Sequence, residues 1–579
     1  TRFTPTSWRS NELVWDHIDV DQNLGGTFLL AARPGTVGAT LLSPSFPNYQ
    51  LFLEQNPDLA AIPGVAGGLL SYVDTVAALG PRKLYLNAPR DSLIFQETLN
   101  VVSNKTVIDA GFATITNIFG YQRERRAQGY NADGTPLPLL NGYTMLDLRP
   151  NSLANKRHQY TDELRVNGDL FDGRFDWLVG GFYQELRDET PGNTLTGAAV
   201  TVTGAGATYV ANRITKFSRA LFAHGSFQIT DALRVSAGYR RTWETNKSVQ
   251  AAVAVPLSLR GEQNGPAVCI GTAIPADFDL PQCQGARGNL KARGDNWIVG
   301  LDYKVTDALF AYGSISRGFK PGGINTTATI PALRSYGTET IKQYELGLKY
   351  QDELADIPVR VNLALYQQDL NDAQVGYVVF NPFRRTTEGV SLNAPSARVR
   401  GIEVEGEAVF NRWFRLSAFF DYTDAKYTEF GIPVFVVDPT APGGVTVASV
   451  TDVSANPFPN TPKYHFGTTA RVTFPVPEDW GDLSLSATYF YQSSIVFSSD
   501  LKNEFEGVAG SYDLLNAQLE WRNVFGRPVD VTAFVKNATN NTYLRGGIAL
   551  AQQLGFTHTT YGEPRMYGVQ LRYRFGAGQ

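Results

Sequence analysis

Residues 564–575 read Pro-Arg-Met-Tyr-Gly-Val-Gln-Leu-Arg-Tyr-Arg-Phe, and from Tyr567 onward apolar and polar side chains alternate without interruption. Successive side chains of a β-strand point to opposite faces, so this segment has one apolar and one polar face. The apolar face of this terminal, barrel-closing strand carries Tyr567, Val569, Leu571, Tyr573 and Phe575. The polar face carries Gly568, Gln570, Arg572 and Arg574. Such a strand suits a barrel with lipid outside and water inside.

The composition supports this fold class over a soluble multidomain protein. Only 18% of the 579 residues are charged, whereas 12% are aromatic. No apolar run approaches the roughly 18–20 residues of a membrane-spanning helix. A closed barrel is the other structure that satisfies its own backbone hydrogen bonds in lipid. We therefore predict an all-β fold, a transmembrane antiparallel β-barrel. The net charge of −4 does not indicate a nucleic-acid partner.

Two-faced segments recur along the chain, separated alternately by short and long connections. Ile229–Ala232, Val305–Leu309, Phe410–Trp413 and Pro477–Asp482 are predicted short turns. Long loops are predicted at 22–92, 128–155, 189–208, 250–287, 319–336, 380–392, 430–460, 499–510 and 545–562. Short turns at one end and long loops at the other are typical of outer-membrane barrels, with the long loops extracellular. Counting back from Phe575 gives about eighteen strands, the first near Trp8–Asp21.

Five segments, in order along the chain, resemble signatures of TonB-dependent outer-membrane receptors: residues 312–325, 339–350, 397–407, 460–464 and 534–540. The resemblance covers the chain from about residue 93 to its end. It implies a 22-stranded barrel and active uptake of a scarce nutrient such as a ferric siderophore. The uptake would be energised by the TonB complex, which remodels a plug inside the barrel. It also implies that the protein resides in the bacterial outer membrane, among its lipid and lipopolysaccharide.

The plug of that family is not recognisable in this sequence. Residues 1–579 are therefore interpreted as a single outer-membrane barrel domain without the plug and the first strands. Three explanations stay open: an incomplete chain, a second polypeptide that supplies the missing part, or an eighteen-stranded barrel that closes by itself. The chain begins directly in polar sequence, so we expect its numbering to start after processing or truncation.

Cys269 and Cys283 lie in one long loop and are the only cysteines. An exported pair of this kind favours a disulfide over free thiols or metal ligands. Glu403, Glu405 and Glu407 occupy one face of a predicted strand. They form either an acidic stripe that faces a cation or substrate, or an ordinary hydrated lumen wall balanced by Arg572 and Arg574 or by plug contacts. The second interpretation is favoured because charged residues are common inside a wet barrel.

Arg317, Phe319 and Lys320 are the candidate substrate-binding residues, because basic and aromatic groups recur in binding sites. The alternative, which we favour, is a structural turn with Phe319 at the membrane interface. The loop at 22–92 is unusually apolar, which indicates a short helix. It could cap the barrel, contact a partner or pack on itself.

No catalytic motif or zinc spacing is present, so the chain is predicted not to be an enzyme and to need no cofactor. The five histidines are interpreted as wall or loop residues, not as metal ligands. The leading hypothesis is a transporter for a small-molecule substrate. Its rivals are a passive porin-like channel and a barrel subunit completed by another chain. About eighteen strands are counted in this sequence, whereas the barrel of the family has 22. We therefore predict that the terminal strand pairs with a first strand outside this sequence.

Overall fold

A computed structural model describes most of the chain. The described residues are 2–6, 8–23, 28–36, 39–40, 42–80, 94–131, 135–136, 141–143, 155–189, 192–196, 207–255, 268–269, 284–325, 328, 330–382, 386–393, 395–497, 507–550 and 556–575.

Strands dominate the described residues. The first half of the chain contains β1 Arg2–Thr6, β2 Arg9–Asn23, β3 Phe28–Ala32, β4 Ile94–Asp109, β5 Thr114–Asn131, β6 Asn141–Tyr143, β7 Asn155–Leu170, β8 Phe175–Asp188, β9 Gly192–Thr196, β10 Ala207–Gln228, β11 Leu233–Val255, β12 Val268–Cys269 and β13 Gln284–Lys304. The second half contains β14 Leu309–Lys320, β15 Gly323–Ile324, β16 Ser335–Tyr336, β17 Glu339–Leu354, β18 Ile357–Asn371, β19 Gln374–Asn381, β20 Thr386–Asn393, β21 Pro395–Asn411, β22 Phe414–Val437, β23 Val445–Asp452, β24 Tyr464–Phe474, β25 Asp482–Gln492, β26 Ile495–Val496, β27 Val508–Ala509, β28 Tyr512–Arg522, β29 Val529–Lys536, β30 Leu544–Leu550, β31 Phe556–Tyr561 and β32 Met566–Tyr573.

Nineteen strands pair in chain order, each antiparallel to the next, and form the wall of the barrel. They are β1, β2, β4, β5, β7, β8, β10, β11, β13, β14, β17, β18, β21, β22, β24, β25, β28, β29 and β32. The all-β prediction is confirmed, as is a first long strand near Trp8. The short strand β1 is an addition, because five residues that include Pro5 are too few to show a clear alternation.

The two edges of this wall are β1 and β32. Strand β1 pairs with β2 over Arg2–Thr6, and β32 pairs with β29. Among the described residues, neither edge strand has a second neighbour. The apolar side chains of β32 are exposed, with Tyr567 at 83% and Val569 at 73%. Residues Met566–Tyr573 thus form the last strand of the described wall, and this strand is an open edge.

The register of the strand pairs assigns each side chain to one of two faces of the wall. Leu221 and Leu346 lie on the face that continues into Tyr567 and Val569, and they are 62% and 64% exposed. We call this the outward face, since exposed apolar side chains cover it and lipid is its expected solvent. The opposite, lumen face carries polar side chains such as Gln343 and Glu345. No helix in the described part of the chain is long and apolar enough to cross a membrane.

Short turns connect the wall strands at one end of the barrel. In the turns at Thr230 and Thr306, the threonine Oγ1 accepts hydrogen bonds from the backbone N–H groups two and three residues later. Ala355 and Asp356 have φ of 52° and 62°, which gives the tight twist of a two-residue hairpin. The predicted turns at Thr230 and Thr306 are confirmed, and the hairpin at Ala355–Asp356 is one that was not predicted. In the first two turns the threonine hydroxyl supplies the local hydrogen bonds.

Long connections lie at the other end. The described residues of the connection between β2 and β4 include the helices α1 Pro47–Gln55, α2 Pro57–Ala60 and α3 Gly68–Leu79. The helix predicted in this loop is therefore confirmed, and two more accompany it. At the junction before α3, Gly68 has a φ of 87°, and a β carbon there would lie 2.4 Å from the carbonyl oxygen of Leu42. A glycine is required at this close approach.

Candidate functional site: the lumen and the outer loops

The long loops at the outer end gather into two packed groups. The first loop cluster comprises the described residues of 323–336, 374–393 and 431–452, which include the hairpins β15–β16, β19–β20 and β22–β23. The second loop cluster comprises the described residues of 28–80, 495–509 and 544–561, which include the three helices and the sheet β3–β31–β30. Both emerge from the same end of the wall and lie beside its mouth.

The first loop cluster has a small apolar core to which three separate loops contribute. Its buried members are Ala328, Ile330, Leu333, Val379, Val390, Leu392, Phe435 and Val445. Because these side chains come from different loops, burying them ties the loops to one another. The loops therefore form one packed body at the mouth of the barrel.

Asn325 is the polar centre of the first loop cluster. Its Nδ2 donates to the carbonyl oxygens of Leu333 at 2.7 Å and Ser391 at 2.8 Å. Its Oδ1 accepts from the backbone N–H of Ser391 at 2.8 Å. One buried amide thus links two loops that are 66 residues apart in the sequence. This role was not predicted from the sequence, although Asn325 closes the segment that carries Arg317 to Ile324.

The second loop cluster has a core formed mainly by the helices. Its buried members are Leu29, Leu42, Tyr49, Phe52, Leu53, Val65, Leu69 and Tyr72. The Tyr49 hydroxyl donates to the Val65 carbonyl oxygen at 2.6 Å. Burial of the phenol raises the pKa of Tyr49 well above its usual value. The loop at 22–92 was predicted to cap the barrel, to contact a partner or to pack on itself. Its buried core supports the third interpretation.

The sheet β3–β31–β30 connects the two sides of the open seam in the wall. Strand β3 follows β2, next to one edge, and β31 precedes β32, the other edge. Leu29 pairs with His558, and His558 pairs in turn with Ile548. The seam is therefore bridged at its outer end by backbone hydrogen bonds between loops.

His558 lies at the centre of this bridge and is only 4% exposed. Neither of its ring nitrogens has a hydrogen-bond partner among the described residues. Burial disfavours the charged imidazolium and lowers the pKa of His558 to about 4. No sequence pattern indicates this burial, and His558 was predicted only as a wall or loop residue.

Charged groups line the lumen in local pairs. Glu407 lies 3.5 Å from Arg415 and 3.8 Å from Arg360. Further along, Glu520 pairs with Arg471 at 3.2 Å and with Arg522 at 2.8 Å. The stretch of wall around Glu407, Arg415 and Arg471 encloses a concavity of about 780 Å³. The lumen is therefore a hydrated surface that carries both signs of charge.

The stripe of Glu403, Glu405 and Glu407 lies on the lumen face, as the alternation predicts. Its expected balance by Arg572 and Arg574 is wrong. Arg574 instead pairs with Asp530 at 3.0 Å, near the short turns. Arg360 on β18 lies opposite Glu407, and Arg415 on β22 lies diagonally across from it, opposite Val409, so both guanidinium groups reach the Glu407 carboxylate.

Arg317 and Phe319, two candidate binding residues, are held by neighbours on β13. The Arg317 guanidinium donates to the carbonyl oxygen of Asp295 at 3.1 Å. The Phe319 ring covers Gly294 so closely that a β carbon there would lie 2.1 Å from it. Lys320 is exposed at the strand end. These contacts support the structural interpretation, and a role in substrate binding stays a prediction.

Cys283 lies outside the described residues, so the predicted disulfide with Cys269 stays a prediction. No disulfide is found among the described residues. The described residues also hold no group of three histidine, cysteine or carboxylate side chains that could bind a metal ion.

The family model described as TonB dependent receptor-like, beta-barrel matches residues 62–540. Among curated proteins, the ferrichrome outer membrane transporter/phage receptor of Escherichia coli (strain K12) is 29% identical over 135 residues, which is 23% of this chain and 16% of that protein.

Two solved structures share the fold at low identity. The siderophore receptor PiuA from Acinetobacter baumannii has a TM-score of 0.63 at 15% identity, over 98% of this chain and 72% of that one. The ferric yersiniabactin uptake receptor FyuA from Yersinia pestis has a TM-score of 0.61 at 16% identity, over 83% of this chain. The matched part spans 62% of the FyuA chain, which is less than two thirds of its length.

Proposed function

The chain belongs to the family of TonB-dependent receptor-like β-barrels, and from this membership we propose that it takes up a scarce nutrient actively across the outer membrane. The family consists of outer-membrane transporters of Gram-negative bacteria and not of enzymes. A ferric siderophore is the proposed substrate class. The names of the ferrichrome transporter, PiuA and FyuA support this class.

The observation that carries this proposal is the pair of packed loop clusters at the mouth of a polar lumen. Each cluster has its own buried core, so the loops present preformed surfaces to a ligand that arrives from outside. Below them, the lumen wall offers ion pairs such as Glu407 with Arg360 and Arg415. A large polar ligand can be captured by the loops and then pass along a wall that hydrates it.

Energy from the TonB complex is part of the proposal and is inferred from the family. The test is uptake of a labelled ferric siderophore by cells in which this protein is the only receptor. Collapsing the proton-motive force should stop uptake while binding at the cell surface persists. Uptake that continues at an unchanged rate would overturn the proposal in favour of a passive, porin-like channel.

Further strands and a plug are expected to complete the barrel. The open edges β1 and β32 expose backbone N–H and C=O groups that have no partner in the described wall. Such groups are costly in lipid, so additional strands should pair with them. The plug and strands can belong to the same protein or to a second chain. Denaturing electrophoresis of the purified protein decides this, because a second chain would appear as a stoichiometric companion band.

A further inference from the structure

The sheet β3–β31–β30, which we call the seam bridge, is buried at its middle strand. The side chains of Thr557 and Thr559 are completely buried, and that of His558 is 4% exposed. Successive side chains of a strand point to opposite faces, so the two threonines share one face and His558 lies on the other. A strand of polar residues is thus enclosed on both sides at the place where the loops meet.

The two faces of the seam bridge are covered by different parts of the second loop cluster. Gly547 is opposite Thr559, and a β carbon at Gly547 would lie 2.8 Å from the Phe497 ring. On the other face, Leu29 is opposite His558 and belongs to the buried core of the helices. Side chains that are opposite each other in register share a face of the sheet. The imidazole of His558 is therefore directed toward the helix core.

The imidazole has no acidic neighbour in the described elements that pack around it. Strands β3, β26 and β27 contain no titratable residue, whereas β30 contributes Arg545 and β31 contributes Tyr561. The titratable members of the helix core are Tyr49 and Tyr72, and burial raises the pKa of Tyr49. None of these groups carries a negative charge near neutral pH. A protonated His558 would therefore be buried without a counter-charge.

Acid consequently favours release of the strand that carries His558. Burial lowers the pKa of His558 to about 4, whereas an exposed histidine has a pKa of about 6.5. Between these two values, the released strand binds a proton that the seam bridge does not bind. The equilibrium therefore shifts toward release as the pH falls from 6.5 toward 4, and it does not depend on this residue at higher pH.

The joint between β3 and β31 is the one expected to open. These strands pair over Phe28–Ala32, and their register shifts between Leu29 and Ala31. Strands β30 and β31 instead follow each other along the chain and pair over Leu544–Leu550. A short connection keeps the ends of two consecutive strands close at a low cost in entropy. Release should therefore occur at the joint that crosses the seam.

We propose that the seam bridge is an acid-sensitive latch. At neutral pH it fastens the second loop cluster across the open seam, and uptake of a proton by His558 releases β31 from β3. The two sides of the seam are then no longer held together by this sheet. The latch is independent of which nutrient is taken up, because it depends on the imidazole and its apolar surroundings and on no ligand.

The test measures backbone hydrogen exchange by mass spectrometry on the full chain in detergent, at about pH 7.5 and about pH 5. After correction for the intrinsic effect of pH on exchange, the opening equilibrium at residues 28–32 and 556–561 should be about 30-fold larger in acid. Peptides from the neighbouring wall strand, residues 94–109, should keep their protection. Unchanged protection of residues 28–32 in acid would overturn the proposal.

Two histidine variants assign the response to one residue. His558→Phe keeps an aromatic ring in the core and removes the titrating group, so the corrected exchange of residues 28–32 should not depend on pH. The matched control His465→Gln removes a histidine of the lumen wall, whose Nδ1 lies 2.9 Å from a carboxylate oxygen of Asp421. This control should respond to acid like the unmodified chain. A normal acid response of His558→Phe would show that another group releases the strand, and the proposal would be wrong.

A disulfide across the joint distinguishes release of β31 from local fraying. Ala31 and Thr557 are opposite in register, and the Thr557 hydroxyl has no hydrogen-bond partner in the described part of the chain. The variant Ala31→Cys/Thr557→Cys can therefore be crosslinked without the loss of a hydrogen bond. Its background carries Cys269→Ser and Cys283→Ser, so that no other disulfide can form.

The oxidised and reduced forms of this variant are compared in acid. When oxidised, it should keep residues 28–32 protected, because β3 and β31 cannot separate. When reduced, it should respond like the unmodified chain. Exchange that is equally fast in both redox states would overturn the proposal. Since both states belong to one polypeptide, the comparison holds even if His558→Phe fails to fold.

Discussion

The two loop clusters occupy the same end of the barrel but are stabilised by different interactions. In the first, Asn325 links loops through hydrogen bonds around a core of short hairpins. In the second, helices bury Tyr49 and Phe52, and His558, which has no hydrogen-bond partner in the described part of the chain, lies in the sheet that bridges the seam. Both clusters contain an apolar core, but a neutral histidine buried without a hydrogen-bond partner among the described residues occurs in the second, where acid favours the unfolded state. The two clusters should therefore respond differently to the same perturbations.

The largest difference should follow from Phe52→Ala. Phe52 is about 1% exposed, so its removal leaves a cavity in the second loop cluster. We expect a loss of about 3–5 kcal/mol from the stability of that cluster. Hydrogen exchange of peptides from residues 47–79 should become much faster, while peptides from 374–393 keep their protection. Equal acceleration in both clusters would show that they unfold as one unit.

The second-largest difference should appear in acid, which is expected to destabilise the second loop cluster but not the first. The pKa of His558 is about 4 in the folded cluster, below the ordinary value of about 6.5. Between these values the unfolded loop binds more protons than the folded one, so stability falls as the pH falls from 6.5 toward 4. The loss should approach about 3 kcal/mol near pH 4. Hydrogen exchange of the backbone amides of residues 556–561, corrected for the intrinsic effect of pH on exchange, measures this loss of stability.

Two controls accompany the acid experiment. His558→Phe removes the titrating group and should make the second cluster insensitive over this range. In the first cluster, hydrogen bonds from Thr440 and Ser454 lower the pKa of Asp438 and Asp452. A carboxylate with a lowered pKa loses its contribution only as the pH falls below about 3.8. If the first loop cluster lost stability between pH 6 and 4.5, the expected difference in pH dependence between the two clusters would be contradicted.

Asn325→Leu should destabilise the first loop cluster and leave the second unchanged, which is the opposite of the pattern expected for Phe52→Ala. It leaves the Ser391 N–H and two carbonyl groups without their partner, which should cost about 2 kcal/mol. Peptides from 386–393 should exchange faster, and those from the helices should not change. Asn325→Asp keeps the acceptor but places a buried carboxylate oxygen against the two carbonyl oxygens, so an effect at least as large is expected. No effect from either variant would mean that Asn325 does not hold the loops together.

Tyr49→Phe should give the smallest effect. It removes only the hydroxyl that donates to the Val65 carbonyl, at a cost of about 1 kcal/mol. The ring stays buried, so no cavity forms. Exchange at residues 65–69 should rise about fivefold, far less than with Phe52→Ala. A change as large as that of Phe52→Ala would assign the stability of the cluster to its polar contact and not to its core.

Much of the wall could be predicted because its signal is local. Each wall strand carries its own alternation, so Tyr567 to Phe575 could be assigned to a terminal strand without any knowledge of its neighbours. The turns at Thr230 and Thr306 were predictable for the same reason, since the hydroxyl bonds to a backbone two and three residues away. The strand β1 was missed because five residues carry too little pattern.

The candidate site was predicted less well, because its contacts join residues far apart in the sequence. Asn325 meets Ser391 only when two loops pack, and His558 meets Leu29 only when the seam is bridged. The partners of Glu407 follow from strand register, which the alternation alone does not fix. For Arg317 and Phe319, the sequence offered two interpretations, and the contacts with Asp295 and Gly294 support the structural one.

The sequence by itself determined the alternation of the strands, the division into short turns and long loops, and the family resemblance. These depend on side-chain polarity along a single strand, which is written in consecutive residues. Only the tertiary structure decided which loops pack together, which charged groups pair across the lumen wall, and which buried polar side chains have no hydrogen-bond partner among the described residues. Those features depend on the register between strands and on loop packing, which bring together residues that the sequence keeps apart.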